Sequence, residues 1–363
     1  MPLSTPWAAT VLALLLTGST TPPGAAEPQS TVRQLAGQRV IYSYRGTTPP
    51  DSLLTDIREG HAAGVIFFGE NFTDPQQFRT AVRQLRHAQE RSTAKLPLLL
   101  MTDQEGGLVR RVPGAPELSA REVGQAAVPV AEAGRAGVGA GRNLAGLGLN
   151  VNLAPVLDVY DTPGNFIDRH HRSYGNDPTR VAALGSAFIT AQQDSGVAAT
   201  AKHFPGLGSA PADSNTDEGP VTLSGDATSI RTVDEAPYRS ALATGVRLVM
   251  LSWAVYPALD ADRPAGLSTA VVQGELRERL GYRGVTVTDA LEAGALRDFG
   301  STGERAVAAA AAGLDLMLCS AMEPGQGEEA TTALADALAS GRLERAAFTA
   351  ATDRINALRA SLR

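Results

Sequence analysis

The residue types best suited to chemistry lie at positions 202–215, which read Lys-His-Phe-Pro-Gly-Leu-Gly-Ser-Ala-Pro-Ala-Asp-Ser-Asn. An apolar run typical of a β-strand ends at Ala201, so we expect Lys202 and His203 at the end of a strand. The proline and glycines that follow favour a loop, and this loop carries Asp213. A cation, an imidazole and a carboxylate placed in this way form a layout suited to catalysis.

Two further carboxylates follow apolar runs elsewhere in the chain. Asp289 ends the run Gly284 to Thr288, and Asp103 ends the run Pro97 to Thr102. From residue type alone, Asp289 either anchors a loop or acts on a substrate. Asp103 either caps the helix that follows or binds a ligand.

The elements that position these residues alternate along the chain. Apolar runs with β-branched residues predict eight strands, and most pairs of strands are separated by a helix-like stretch. Near-continuous apolar strands between helices favour parallel pairing with both faces covered. We therefore predict a single-domain (β/α)₈ TIM barrel of the α/β class, with an open doubly wound sheet as the alternative. The predicted strands are 39–44, 64–68, 97–102, 150–157, 197–201, 247–251, 284–288 and 314–319.

Polar residues gather just past these runs, as the active face of a barrel requires. They are Asp103, Asp158, Lys202, His203, Ser252 and Asp289. The Gly-rich segment 137–141 resembles a dinucleotide-binding loop, but it lies inside a helix-like stretch and follows no strand. We interpret its glycines as positions of close helix packing.

Bulk composition excludes several functional classes. The net charge is −6, no basic block occurs, and we therefore expect no nucleic-acid partner. The single cysteine excludes an intrachain disulfide and a Cys-rich metal site. No residue pattern calls for a metal or an organic cofactor, and we expect neither; we also expect a monomer.

The N-terminus resembles an export signal. Residues 7–16 form an apolar stretch too short to span a bilayer, and small residues follow it up to Ala26. No Lys or Arg precedes Arg33, so the positively charged flank of such signals is missing. We predict a signal peptide over 1–26, a linker over 27–37, a barrel over 38–363 and a secreted protein with no membrane span.

Five segments, which make up four motif matches, together resemble glycoside hydrolase family 3, in its single-domain bacterial β-N-acetylglucosaminidase (β-N-acetylhexosaminidase) branch. Segment 202–215 is similar to the family's Lys-His-Phe-Pro-Gly-x-Gly…Asp-Ser-His signature. Segment 281–289 resembles the family's nucleophile region, and 103–107 resembles its Asp-centred sugar-binding turn. Segments 153–158 and 172–178 resemble its Ala-Pro-Val-x-Asp…Arg-Ser-Phe-Gly-x-Asp-Pro pattern. The matches occur in order over residues 38–320.

The resemblance implies a retaining β-glycosidase that needs no cofactor and acts on a carbohydrate. Asp289 corresponds to the nucleophile, although the family's second Asp is Ala290 here. Asp103, Arg172, Lys202 and His203 correspond to residues that bind the hydroxyl groups of the terminal sugar.

One departure from the family pattern concerns the acid that protonates the leaving group. The resemblance assigns this role to a histidine oriented by the Asp two residues before it, and these positions are Asn215 and Asp213 here. An amide has no proton to transfer near neutral pH. We predict Asp213 as the second catalytic residue, with Asp217 and Glu218 as alternatives on the same loop.

The favoured function is a secreted exo-β-N-acetylhexosaminidase that acts on cell-wall or chitin-derived fragments. The alternative is a catalytically weak barrel that binds amino-sugar glycans, which the missing histidine and Ala290 favour. A β-glucosidase is a third hypothesis, although most such members of the family carry a second domain that supplies the acid. Trp253 either stacks on a sugar face or belongs to the core.

Overall fold

A closed barrel of eight parallel strands forms the centre of the computed structural model, which describes residue 1 and residues 29–362. The eight strands follow one another around the barrel in chain order, and the last, Leu316–Leu318, pairs with the first, Val40–Tyr42. The predicted single-domain (β/α)₈ barrel is therefore confirmed. The strands are β1 (Val40–Tyr42), β2 (Gly64–Ile66), β3 (Leu99–Thr102), β4 (Gln104–Gly106), β5 (Val109–Arg110), β6 (Val151–Asn152), β7 (Ala198–Phe204), β8 (Leu248–Leu251), β9 (Val255–Tyr256), β10 (Asp260–Pro264), β11 (Val285–Ala290) and β12 (Leu316–Leu318).

Helices surround the barrel. They are α1 (Gln29–Gly37), α2 (Asp51–Glu59), α3 (Pro75–Glu90), α4 (Ala120–Gln125), α5 (Pro129–Leu147), α6 (Phe166–Arg169), α7 (Pro178–Asp194), α8 (Ala227–Ser229), α9 (Ala236–Ala243), α10 (Thr302–Ala312), α11 (Pro324–Ala339) and α12 (Arg345–Ser361). Short 3₁₀ turns occupy Gly69–Asn71, Ala265–Leu267 and Gly294–Leu296, and π-helical segments occupy Ile230–Asp234 and Ala270–Arg279. In the described part of the chain, no helix combines the length and the apolar character needed to cross a membrane.

Local sequence signals explain where several helices begin. The Asp74 side chain accepts hydrogen bonds from the backbone of Gln76 and Gln77 and so caps α3, with Pro75 in the first helical position. At α10, Ser301 and Glu304 cap each other's backbone amides. These signals fix the residue at which each helix begins after its connection from the preceding strand.

The core has two layers. Alternate strand residues such as Ile41, Leu99 and Val287 fill the inside of the barrel, and the other strand face packs against the helices. The glycines of α5 lie where the sequence predicted close packing. A Cβ on Gly137 would collide with the backbone of Phe188 in α7, so only glycine permits this approach.

One feature of the N-terminal part differs from the prediction. Residues 29–37 of the predicted linker form α1, which packs on α11 and buries Val32 and Ala36. Apolar spacing over only two turns gave too weak a pattern to distinguish this helix from a linker. The predicted signal peptide, 1–26, lies outside the described residues except for residue 1.

Candidate active site

A cavity of about 270 Å³ opens at the carboxyl ends of the barrel strands. Most of its lining side chains are polar or charged, and several come from segments far apart in the sequence. The predicted residues Asp103, Arg172, Lys202, His203 and Asp289 all line it, together with Asn215. The parallel barrel explains this gathering, because the carboxyl ends of its strands meet on one face.

The buried cation Lys202 and the partly buried cation Arg172 share a carboxylate on one wall of the cavity. Lys202 on β7 places Nζ 2.6 Å from Asp103 and 2.8 Å from Glu105. The Arg172 guanidinium donates two hydrogen bonds to Glu105, at 2.9 and 2.7 Å. The Lys202 side chain is only 3% exposed, so this ionic network is held in a fixed geometry away from bulk water.

Glu105 is the member of this network that the sequence prediction missed. It occupies the middle position of the short strand β4, and its side chain is 6% exposed. Burial opposes ionisation of this carboxyl, but the charges of Arg172 and Lys202 outweigh burial and hold its pKa well below the usual range. Glu105 therefore remains an anion and orients both cations toward the cavity.

His203 is oriented from behind by a buried aspartate. Its Nδ1 donates to the Asp158 carboxylate at 2.8 Å, and Asp158 is completely buried. Asp158 also accepts the backbone amides of His203 and Leu207. The other ring nitrogen, Nε2, lies 3.5 Å from the Arg172 guanidinium at the cavity wall. Asp158 thus fixes the ring orientation, with Nδ1 held from behind and the Nε2 edge at the cavity wall.

Asp289 is the penultimate residue of β11. It is partly exposed and lines the cavity. Its Oδ1 accepts the backbone amide of Ala290 at 2.8 Å. Trp253, which is 1% exposed, donates its indole N–H to the Ala290 carbonyl at 2.8 Å. Of the two interpretations of Trp253, the structure supports the core one, with a hydrogen bond that fixes the strand end behind Asp289.

The acidic residues of the loop after β7 differ in their position relative to the cavity. Asp213, the predicted second catalytic residue, is exposed and does not line the cavity, whereas Asp217 does. The Asn215 side chain accepts the Asp217 backbone amide at 3.0 Å and donates to Glu218 at 3.1 Å. Asn215 therefore shapes a turn that directs Asp217 into the cavity, a placement that residue order alone did not reveal.

Glu292 is a second cavity residue that the sequence prediction missed. It accepts hydrogen bonds from the Ser320 hydroxyl at 2.6 Å, the Ser320 amide at 3.3 Å and the Gln326 amide group at 2.9 Å. Its position three residues after Asp289 offered the only sequence signal, since a lone Glu in a loop has no diagnostic pattern. Its remaining lone pairs are available to hydroxyl groups of a ligand.

No cluster of three or more His, Cys, Asp or Glu side chains suited to a metal ion occurs in residues 29–362. The cavity carries anions and cations in close alternation, with Lys202 and Arg172 already paired to carboxylates. Such a lining suits an uncharged ligand rich in hydroxyl groups, because each hydroxyl can both donate and accept.

Residues 31–358 match the glycosyl hydrolase family 3 N terminal domain. The chain belongs to this family. Over 90% of its length it is 47% identical to an uncharacterized secreted glycosyl hydrolase of Arthroderma benhamiae, covering 93% of that protein. It is 30% identical to beta-hexosaminidase A of Pseudoalteromonas piscicida. That match includes 93% of this chain but only 62% of the Pseudoalteromonas protein. The predicted family and the class of glycoside hydrolase are confirmed.

Solved structures of the family have the same architecture. A family 3 beta-N-acetylglucosaminidase from Paenibacillus sp. superposes with a TM-score of 0.85 at 36% identity, over 91% of this chain and 62% of that chain. The beta-N-acetylhexosaminidase of Beutenbergia cavernae superposes with a TM-score of 0.79 at 32% identity, over 90% and 98%. This family 3 chain therefore spans under two thirds of the Paenibacillus protein and nearly all of the Beutenbergia one.

Proposed function

We propose that this family 3 protein is a retaining exo-β-N-acetylhexosaminidase that removes terminal β-linked N-acetylglucosamine through a covalent intermediate on Asp289. The observation that carries the proposal is the position of Asp289 at the end of a barrel strand, in the cavity that the ionic network of Lys202, Glu105 and Arg172 also lines. Relatives and structural neighbours with hexosaminidase descriptions support the same substrate class.

The charged wall supplies the contacts that a sugar ring requires. Asp103, Arg172, Lys202 and His203 offer acceptors and donors to the hydroxyl groups of a terminal sugar. These contacts accelerate the reaction to the extent that they strengthen as the ring flattens toward an oxocarbenium-like transition state. The ion pairs hold the donors in place before substrate arrives, so little reorganisation is needed.

The nucleophilic step follows from the place of Asp289. An oxygen of its carboxylate attacks the anomeric carbon, and the bond from that carbon to the leaving oxygen breaks with its electron pair. Water then attacks the same carbon and releases Asp289, so the sugar product keeps its β configuration. The cavity has a volume of about 270 Å³. Small-molecule sites usually begin at about 300 Å³, so this small volume favours one terminal sugar over an extended chain.

The test compares dinitrophenyl N-acetyl-β-glucosaminide with dinitrophenyl β-glucoside. We expect the wild-type protein to release dinitrophenol from the first far faster than from the second, and Asp289→Asn to lose at least ~10³-fold in kcat/KM. Asp298→Asn, an exposed aspartate outside the cavity, is the matched control and should retain wild-type rates. Absence of turnover with retained binding of chitooligosaccharides would favour the glycan-binding alternative instead.

We also propose that the protein is secreted. The apolar stretch of residues 7–16 and the description of the Arthroderma relative as secreted support this. When the full chain is expressed in a secreting bacterial host, the culture medium should contain the protein. N-terminal sequencing should show that this protein begins near Glu27. Retention of the full-length chain inside the cells would contradict it.

A further inference from the structure

We propose that Asp217 is the general acid/base of this enzyme, in the role that the resemblance assigned to the position of Asn215. The inference rests on the proposed function, since it assigns the proton transfer that a retaining glycosidase needs. Three features of the cavity support the role of Asp217. They are the carboxyl groups that line the cavity, the hydrogen bonds and ion pairs of each group, and the contacts of the loop that carries Asp217.

Among the described residues, five carboxyl groups line the cavity, and four of them already accept hydrogen bonds. Asp103 is paired with Lys202, Glu105 with Lys202 and Arg172, and Asp289 accepts an amide. Glu292 accepts bonds from Ser320 and Gln326, as described above. The Asp217 carboxyl has no such hydrogen bond or ion pair in the described part of the chain. A general acid must hold a proton at working pH, and hydrogen bonds and cations that stabilise the anion oppose this.

Burial and the carboxyl groups that face Asp217 favour its protonated form and outweigh two cationic groups nearby. Asp289 on β11 and Glu292 in the loop after it are anions near the Asp217 carboxyl, whereas His203 on β7 and Arg172 before α7 act in the opposite direction. Although the side chain is accessible, desolvation in the concave site is the largest cause, and with the charge of Asp289 it raises the pKa of Asp217. A carboxylic acid with a raised pKa beside an ionised partner is the arrangement that glycosidases use.

The loop that carries Asp217 is docked against the segment that follows the nucleophile. The amide of Gly294 donates to the Asp217 carbonyl at 2.8 Å, and the amide of Ala295 donates to the Thr216 carbonyl at 2.9 Å. Thr216 itself is buried. Asp217 is therefore fixed relative to Asp289 by backbone bonds, while Asp213 and Glu218 on the same loop do not line the cavity.

In the proposed reaction, Asp217 gives up a proton in the first step and regains one in the second. In the first step the Asp217 carboxyl gives its proton to the leaving oxygen as the bond from the anomeric carbon to that oxygen breaks and the ester to Asp289 forms. In the second step the Asp217 carboxylate takes a proton from water, whose oxygen bonds to the anomeric carbon. As that bond forms, the bond from the anomeric carbon to the Asp289 oxygen breaks, and its electron pair returns to Asp289.

The test measures kcat/KM of Asp217→Asn on two N-acetyl-β-glucosaminides, one with dinitrophenol and one with N-acetylglucosamine as leaving group. We expect a ~10²–10⁴-fold loss on the disaccharide, since its leaving group needs the proton, and a loss below ~10-fold on the dinitrophenyl substrate. The alkaline limb of the kcat/KM profile on the disaccharide should disappear. Asp217→Ala should recover kcat on the dinitrophenyl substrate when azide is added and form the β-glycosyl azide.

Controls separate this inference from the proposed function. Thermal unfolding checks that the Asp217 variants fold, and Asp298→Asn should behave as wild type on both substrates. Equal losses on both substrates, an unchanged alkaline limb, or a selective loss in Asp213→Asn or Glu218→Gln instead would overturn the role of Asp217. In those cases a loss of activity in Asp289→Asn would leave the proposed function standing, whereas an inactive wild type would overturn both.

Discussion

At the residue scale, the carboxylate Glu105 decides the geometry of the charged cavity wall. The sequence predicted the cations Lys202 and Arg172 and the acid Asp103, because each lies in a recognisable segment. It did not predict Glu105, because the residue that neutralises two cations depends on distances across the barrel. Without this partner, Arg172 would lose the carboxylate it is paired with and Lys202 would keep only Asp103, in a region of low dielectric constant.

Substitution Glu105→Gln should therefore destabilise the protein by about 3–5 kcal/mol, the usual cost of removing one partner from a buried ion pair. The free energy of unfolding from urea denaturation is the measurement. The matched control is Glu132→Gln, which removes an exposed ion pair with Arg135 on helix α5 and should change stability by less than ~1 kcal/mol. Equal effects of the two substitutions would show that the Glu105 network does not hold the wall.

At the element scale, the contact between the loop after β7 and the loop after β11 brings the proposed acid, Asp217, into the same cavity as the proposed nucleophile, Asp289. All eight barrel strands were predicted from apolar runs, because a buried parallel strand leaves a clear pattern. The docking of the two loops was not, because it depends on backbone hydrogen bonds and on space rather than on residue type. This explains why the prediction chose Asp213 as the second catalytic residue, whereas the structure directs Asp217 into the cavity.

Substitution Gly294→Ala tests this contact between elements. A Cβ at this position would meet the backbone of Glu218 and would lie 2.9 Å from the Asp217 carbonyl oxygen, so the loop has to move. On the account that Asp217 is the acid, kcat/KM on the disaccharide should fall at least ~10-fold, and the dinitrophenyl substrate should be affected less.

The control for this substitution is Gly274→Ala, where a Cβ has no neighbour within 4 Å. It should leave both rates unchanged and alter stability by about 1 kcal/mol or less. Wild-type rates in Gly294→Ala would mean that the position of this loop does not matter for proton transfer.

At the scale of the whole molecule, a buried acid behind the active face makes stability depend on pH. Asp234 ends the π-helical segment Ile230–Asp234 and is almost completely buried. Desolvation, with the charges of Asp158 and Asp161, raises its pKa to about 8, from 3.8. The folded protein therefore keeps this proton over a range in which the unfolded chain has lost it. Stability falls as pH rises from about 4 to about 8, and above that range the loss is complete.

Asp234→Asn removes this penalty at every pH. We expect the variant to gain stability over wild type, and the gain should be about 2–4 kcal/mol larger at pH 8 than at pH 5, since one unit of pKa corresponds to about 1.4 kcal/mol. Urea unfolding at both pH values measures it, with Asp298→Asn as the exposed control. A gain that is the same at both pH values would contradict a buried, protonated Asp234.

The central claim is that Asp289 forms a covalent bond with the sugar, and trapping that bond tests it most directly. A 5-fluoro-N-acetyl-β-glucosaminyl fluoride suits the experiment, because the ring fluorine slows the second step and fluoride leaves without help from an acid. Intact-protein mass spectrometry should show one added fluoro-sugar, and peptide mapping should place it on Asp289. Steady hydrolysis of N-acetyl-β-glucosaminides with no adduct, or an adduct on another residue, would contradict the account.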